Sequence, residues 1–189
     1  MTIFINNVYS RSLLAIAFVM LAGCASPARV DQMSVSGNPS QRVAQTPFRN
    51  NLAIKDVTGG KETNPMWVSN VGSSEFEQAL ESSLRSVGLL AQRQSGKYQL
   101  TTHMERLEQP FMGIDMTVTA YVRYIVFERA TGKEIYSKTV SVPYTAKFGD
   151  SLIAVERLRL ANEGAVRVNI TEFIDELFRL KINSVTINQ

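Results

Sequence analysis

The sequence predicts an α+β fold: a two-layer sandwich in which a four-stranded, mostly antiparallel sheet carries two helices on one face, in the order β-α-β-β-β-α. Two stretches, residues 74–87 and residues 150–181, repeat apolar side chains at helical spacing. Between them, residues 98–144 alternate apolar and polar side chains with a period of two, which is typical of strands with one apolar face. Two amphipathic helices that cover one apolar sheet face make a two-layer sandwich.

The first strand and the first helix are predicted between residues 51 and 88. Residues 51–57 alternate well enough for a strand. Ser74 with Glu77 three residues later forms a capping-box pattern, and Gly88 suits a left-handed C-cap. Because a helix separates the first strand from the strand that begins at Tyr98, these two strands are expected to pair in parallel through a right-handed crossover. The apolar stripe of this helix consists of Phe76, Leu80, Leu84 and Val87.

The next two strands, residues 115–128 and 133–144, are predicted to form a hairpin. A three-residue loop, Ala130-Thr131-Gly132, with Gly132 in a left-handed bulge position, places Arg129 opposite Lys133. We favour this loop because a one-residue slip would divide the apolar side chains between the two faces of the sheet. The pairs that it places on one nearly continuous apolar face are Val126/Tyr136, Tyr124/Lys138, Val122/Val140, Ala120/Val142 and Val118/Tyr144.

The opposite face of the hairpin changes from polar to apolar toward the Gly132 tip. An exposed apolar patch on a soluble domain indicates a binding surface. The candidate partner-binding residues on this face are therefore Tyr121, Ile125, Phe127 and Ile135. The alternative is that the N-terminal segment or a loop covers this patch.

The last helix is expected from a cap at Asp150 or Ser151 to about Lys181. Gly164 lies in its middle, where a small residue would either interrupt the helix or let it lie close to the sheet. The opposite charges expected to pair four residues apart are Glu163 with Arg167 and Asp175 with Arg179.

The N-terminal 24 residues have the pattern of a secretory signal. Arg11 is followed by an uncharged, apolar run from Leu13 to Cys24, which is too short to cross a bilayer because a membrane helix needs about 20 apolar residues. The run ends in Leu21-Ala22-Gly23-Cys24, which resembles the lipobox of bacterial lipoproteins. The resemblance implies cleavage before Cys24 and acylation of its thiol. An ordinary signal peptide or an uncleaved N-terminal anchor is the alternative.

Three regions follow from this interpretation: a signal peptide at residues 1–23, a lipidated N-terminus with a flexible tether at residues 24–47, and one globular domain at residues 48–189. Residues 25–47 are rich in Ser, Pro, Gln, Asn and Gly, with few apolar side chains. A coil of this length would span about 27 Å on average. We therefore expect the domain to stand away from the membrane.

Composition excludes several functions. The 189 residues carry 20 basic and 17 acidic side chains without a Lys/Arg run, so nucleic acid is not an expected partner. Cys24 is the only cysteine, which rules out an internal disulfide. His103 is the only histidine; it lies two residues from Glu105, a spacing that could be imagined as an acid–base pair. We favour a surface histidine, and we predict no catalytic residue, no metal site and no cofactor.

The element order, behind a lipobox and a polar segment, resembles the small periplasmic accessory lipoproteins of envelope machines: the lipopolysaccharide-assembly lipoprotein, the auxiliary lipoproteins of ABC-type transporters and the activators of peptidoglycan synthases. The resemblance implies a lipid-anchored, non-enzymatic adaptor that binds an envelope protein complex. Ala25 and Ser26 follow Cys24 without an aspartate, which resembles lipoproteins of the outer membrane, with the domain in the periplasm. The alternative is a lipid- or glycan-binding module that uses the aromatic residues Trp67, Tyr121, Phe127 and Tyr136.

Overall fold

A computed structural model describes residues 25–38, 40–41, 45–64, 69–92 and 95–180. The predicted signal peptide, Cys24 and Trp67 lie outside these residues. A short 3-10 helix precedes the last helix. The elements in chain order are α1 (Val30–Met33), β1 (Leu52–Gly59), α2 (Ser73–Ser86), β2 (Tyr98–Glu108), β3 (Met116–Glu128), β4 (Glu134–Ala146), the 3-10 helix (Phe148–Asp150) and α3 (Ala154–Arg179).

The predicted α+β sandwich is confirmed. The four strands form one sheet in the order β1-β2-β3-β4, with β1 parallel to β2 and the other two pairs antiparallel. Alternate residues of β2, including Tyr98, Leu100 and Met104, are buried beneath the helices, as the period-two pattern indicates. One apolar cluster joins this face to α2 and α3, while no described element covers the other face, which we call the open face.

The register of the β3–β4 hairpin is confirmed from Val118/Tyr144 to Val126/Tyr136. The prediction was wrong at the tip, where the amide of Glu128 donates to the carbonyl of Lys133, 2.8 Å away, and leaves a four-residue loop. A bulge between Val126 and Phe127 absorbs the extra residue, so Phe127 lies opposite Glu134. Gly132 has the positive φ of 68° that the turn requires.

The ends of α2 agree with the sequence only in part. Gly88 adopts a positive φ of 71° after the helix, as predicted for its C-cap. The predicted capping box of Ser74 and Glu77 is wrong, because the N-cap is Gly72, two residues before Ser74, and glycine has no side chain to cap with.

The charged residues of α3 find partners other than those predicted. Glu163 pairs with Arg159, 3.0 Å away, and with Arg29 of the N-terminal segment, instead of with Arg167. Arg179 pairs with Glu172 at 3.2 Å instead of with the Asp175 carboxylate. These pairs differ from the prediction because N-terminal residues contact α3: Arg167 donates to the carbonyl of Gln32, and Gln41 donates to the Asp175 carboxylate at 3.2 Å.

Gly164 lets α3 lie close to the sheet. A Cβ atom at this position would be 2.2 Å from ring atoms of Tyr144 on β4. The helix continues through Gly164 without a break, which resolves the question that the sequence left open.

Asn169 of α3 is fully buried and joins the helix to the sheet by three hydrogen bonds. Its amide nitrogen donates to the backbone carbonyls of Ala120 and Val140, each 2.8 Å away. Its side-chain oxygen accepts a hydrogen bond from the Tyr124 hydroxyl at 2.8 Å. Burial raises the pKa of Tyr124 well above its ordinary value, so this hydroxyl remains a donor.

Residues 25–38 of the predicted tether lie along the helices instead of extending into solvent. Met33 is fully buried, and α1 contacts both α2 and α3. The amide of Arg29 donates to the Glu163 carboxylate at 2.9 Å, and the amide of Val35 donates to the Ser83 hydroxyl at 2.8 Å. The prediction of a flexible tether is therefore wrong for these residues: a few apolar side chains, placed over the helices, together with hydrogen bonds are enough to hold the segment.

Candidate functional site

The open face carries three of the four candidate partner-binding residues. Tyr121, Ile125 and Phe127 alternate along β3 and are each half-buried. Ile135 is at the hairpin bulge and packs against the core, so the prediction that it shares this face with Phe127 is wrong. The predicted patch is therefore smaller than expected, with an apolar end at Ile125 and Phe127.

Tyr121 is held in place by two charged neighbours on β2. The guanidinium carbon of Arg106 lies 3.5 Å from the centroid of the Tyr121 ring, which is a cation–π contact. The Tyr121 hydroxyl donates a hydrogen bond to the Glu108 carboxylate, 2.9 Å away. The position of the ring is thus set by two contacts with the neighbouring strand.

Further cross-strand contacts continue this polar network along the open face. Arg123 donates to the hydroxyl of Ser137 at 3.1 Å. The Glu105 carboxylate, which lies at a bulge in β2, accepts a hydrogen bond from Thr139 at 3.2 Å. The open face therefore presents ordered charges beside the apolar end.

His103 is exposed on the open face and makes its side-chain contact with Thr58 of β1. Its Nδ1 atom and the Thr58 hydroxyl oxygen are 2.9 Å apart. Glu105 contacts Thr139 instead of the histidine. Within the described ranges, no group of three or more His, Cys, Asp or Glu side chains is placed to hold a metal ion.

The aromatic residues proposed for a lipid or glycan site do not share one surface. Tyr136 lies on the helix side of the sheet, with its ring centroid 5.8 Å from that of Phe173 and its hydroxyl donating to Glu176. Burial, together with the neighbouring Glu176 carboxylate, raises the pKa of Tyr136 above its ordinary value. Tyr121 and Phe127 lie on the opposite side of the sheet, so these aromatic side chains cannot line a common site.

A second surface, which the sequence analysis missed, lies at one end of the sheet. It is formed by the loop between β2 and β3 and by the segment between β4 and α3. Its six large apolar side chains are between 48% and 97% exposed, and we call them the end-loop cluster: Phe111, Met112, Ile114, Phe148, Leu152 and Ile153. Exposed apolar groups of this size on neighbouring loops are typical of a contact surface.

Asp115 and Arg157 hold the two loops together. The Asp115 carboxylate accepts hydrogen bonds from the Lys147 ammonium at 2.9 Å and from the Phe148 amide at 3.0 Å, and these contacts lower the pKa of Asp115. Arg157 is almost fully buried and donates to the carbonyls of Ser151 at 2.6 Å and Gly113 at 3.3 Å. The exposed side chains therefore stand on loops that are joined at defined positions.

The N-terminal segment begins at the same end of the sheet. The Ser69 hydroxyl donates to the carbonyl of Ser26 at 2.9 Å. The carbonyl of Ser69 in turn accepts hydrogen bonds from Asn162 at 2.7 Å and from Gln109 at 3.0 Å. Gln109 directly follows β2 and comes two residues before Phe111, so Ser26 is fixed close to the base of an end loop.

The sequence contains a signal for part of the end-loop cluster. Residues 110–114, Pro-Phe-Met-Gly-Ile, place large apolar side chains inside a segment predicted as a connection. Leu152 and Ile153 fall in the predicted start of the last helix, which begins only at Ala154. Apolar residues in a connection have no strand or helix face to bury them, so they are candidates for exposure.

No helix in the described part of the chain has both the length and the apolar character that a membrane crossing would require.

Comparison with known proteins identifies the fold. No family model matches the sequence, and no curated protein matches it. Protein XCC0632 from Xanthomonas campestris, described with the family model DUF330, is 15% identical, with a TM-score of 0.56 over 82% of this chain and 95% of that chain. This similarity shows that the two proteins share a fold.

Two more distant structures also match. The PelC dodecamer from Paraburkholderia phytofirmans is 14% identical with a TM-score of 0.46, over 78% of this chain and 96% of that chain. A minor lipoprotein from Acinetobacter baumannii is 8% identical with a TM-score of 0.45, over 69% of this chain and 94% of that chain. At this structural distance neither match adds to the conclusion about the fold.

Proposed function

We propose that this protein is a lipid-anchored, non-enzymatic accessory protein of the bacterial cell envelope that acts by contact with a protein partner. Cys24 carries the lipid, the outer membrane holds it, and the domain faces the periplasm. The Leu21-Ala22-Gly23-Cys24 motif supports the anchor, and Ser26, two residues after it, accepts a hydrogen bond from Ser69 of the folded domain.

The observation that carries the contact function is the open face of the sheet, which no described element covers. Tyrosine and arginine are enriched among the residues that dominate binding energy at protein interfaces, and Arg106 is already stacked on Tyr121 there. Pre-formed side-chain positions reduce the conformational entropy lost on binding. Ile125 and Phe127 add an apolar end to the same surface. We therefore assign protein binding to Tyr121, Ile125 and Phe127, with Arg106 and Arg123 as charged contacts.

Site-specific photo-crosslinking in living cells tests this assignment. A photoreactive residue at Phe127 is expected to capture one envelope protein, whereas the same residue at Glu77, exposed on α2, is not. The substitution Arg123→Glu reverses a charge on the open face and is expected to reduce capture from position 127 about tenfold.

Two controls make the outcome interpretable. Arg85→Glu reverses a charge at an exposed position of α2, on the helix side of the sheet, and should leave capture unchanged. Equal capture from positions 127 and 77, or capture that is insensitive to Arg123→Glu, would show that the open face is not the binding surface.

A polar cleft favours glycan binding as a second candidate function. The cleft has a volume of about 280 Å³ and lies where β1 and β2 end, with Lys61, His103, Glu105, Arg106 and Gln109 among its lining residues. Its charged and amide side chains suit hydroxyl groups better than an acyl chain. Recovery of a bound glycan without a protein, after purification of the acylated protein from membranes, would favour this alternative.

A further inference from the structure

We propose that the end-loop cluster inserts into a lipid bilayer, so that the domain docks directly on the membrane to which Cys24 anchors it. This proposal rests on the anchor in the proposed function and names the surface that the anchored domain contacts. The observation that carries it is that Ser26, two residues after Cys24 in the sequence, and six exposed apolar side chains lie at the same end of the sheet.

The fixed start of the domain brings this end close to the lipid. Ser26 is held by Ser69, and only Ala25 separates it from Cys24 in the sequence. Consecutive Cα atoms are about 3.8 Å apart, so Ser26 is within about 8 Å of the residue that would carry the acyl groups. A connection this short keeps the end of the domain near the headgroups.

The chemistry of the end-loop cluster matches a lipid surface. Apolar side chains of peripheral proteins enter about 5–10 Å into the boundary between headgroups and acyl chains. Phe111, Met112 and Leu152 are each more than 70% exposed and can enter without unfolding the loops. Beneath them, the Asp115 carboxylate forms an ion pair with Lys147, 2.9 Å away. Asp115 therefore does not bring an unpaired negative charge to the membrane interface.

The same geometry disfavours a second copy of the chain or a periplasmic protein as the occupant. A lipid on Cys24 turns this end of the domain toward the membrane, where a bilayer is always present. The open face, which runs along the sheet, is left for a partner.

Fluorescence quenching in vesicles tests the docking. Full-length acylated protein carrying Met112→Cys or Leu152→Cys is labelled with an environment-sensitive fluorophore and placed in phosphatidylethanolamine–phosphatidylglycerol vesicles that contain spin-labelled lipid. Ala130→Cys, exposed at the opposite end of the sheet, is the matched control. Quenching at positions 112 and 152 is expected to exceed that at position 130 by about fivefold. Adding Phe111→Ser and Ile114→Ser to the Leu152→Cys protein should remove most of that quenching.

The anchor is measured separately in the same preparation. The parent protein contains only Cys24, so fluorophore incorporation there would report a free thiol and overturn the anchor. Equal quenching at all three labelled positions, or its absence at positions 112 and 152, would overturn the docking. Labels shielded from water without quenching, in a protein of doubled mass, would also overturn it and identify an interface between copies.

Discussion

Replacing Met33 with alanine is expected to lower the free energy of unfolding by about 2–5 kcal/mol, because the side chain is fully buried between α1 and the helices. The loss combines the transfer of the side chain from water with the cavity that remains. Denaturant unfolding of the purified domain, followed by circular dichroism, measures the change. A residue in a flexible tether would give no effect.

Met112→Ala is the matched control, since this methionine is 73% exposed on an end loop. Its removal should change the free energy of unfolding by less than about 0.5 kcal/mol. If Met33→Ala and Met112→Ala have the same small effect, residues 25–38 are not part of the folded domain.

Replacing Asn169 with alanine is expected to destabilise the protein by about 3 kcal/mol. The substitution leaves the carbonyls of Ala120 and Val140 and the Tyr124 hydroxyl without the three hydrogen bonds that Asn169 makes. Buried polar groups that lose a partner do not regain it from water, and this is why the expected loss exceeds that of an average surface substitution.

Tyr124→Phe supplies the comparison that isolates one of these bonds. Phenylalanine keeps the stacking on Phe173, whose ring centroid is 4.0 Å away, and removes only the hydroxyl. We expect Tyr124→Phe to lower the free energy of unfolding by about 1 kcal/mol. The double variant, with Tyr124→Phe and Asn169→Ala, should lose less stability than the sum of the two single losses. Additive effects, or an Asn169→Ala variant as stable as the parent, would contradict the network.

The fold was predictable because its elements have strong periodic signals. The alternation in β2, β3 and β4 fixed which side chains face the helices, and the register from Val118 to Val126 followed from keeping one apolar face. The hairpin tip was not predictable in the same way, because a four-residue loop with a bulge restores the register that a three-residue loop would give. Both loops satisfy the same side-chain pattern, but only the four-residue loop with its bulge moves Ile135 off the open face.

Residues 25–38 were missed for a different physical reason. The segment has too few apolar residues to form a face of its own, and periodicity measures only such faces. Its position depends on contacts with residues far along the chain, such as Arg29 with Glu163 and Val35 with Ser83. Contacts of this kind leave no local pattern in the sequence.

The sequence indicated the open face more fully than it indicated the end-loop cluster. Tyr121, Ile125 and Phe127 alternate along a strand, so their common face could be read from the spacing. The end-loop cluster combines two connections that are about 35 residues apart in the chain and are joined by Asp115 and Arg157. Its apolar residues were visible in the sequence, whereas their proximity was not.

The mass of the N-terminus of protein purified from bacterial membranes tests the central claim most directly. A lipid-anchored protein is expected to begin at Cys24 and to carry the added mass of its acyl chains, with the thiol blocked. A chain that begins at Met1, or one that begins at residue 24 or later with no added mass, would contradict the account.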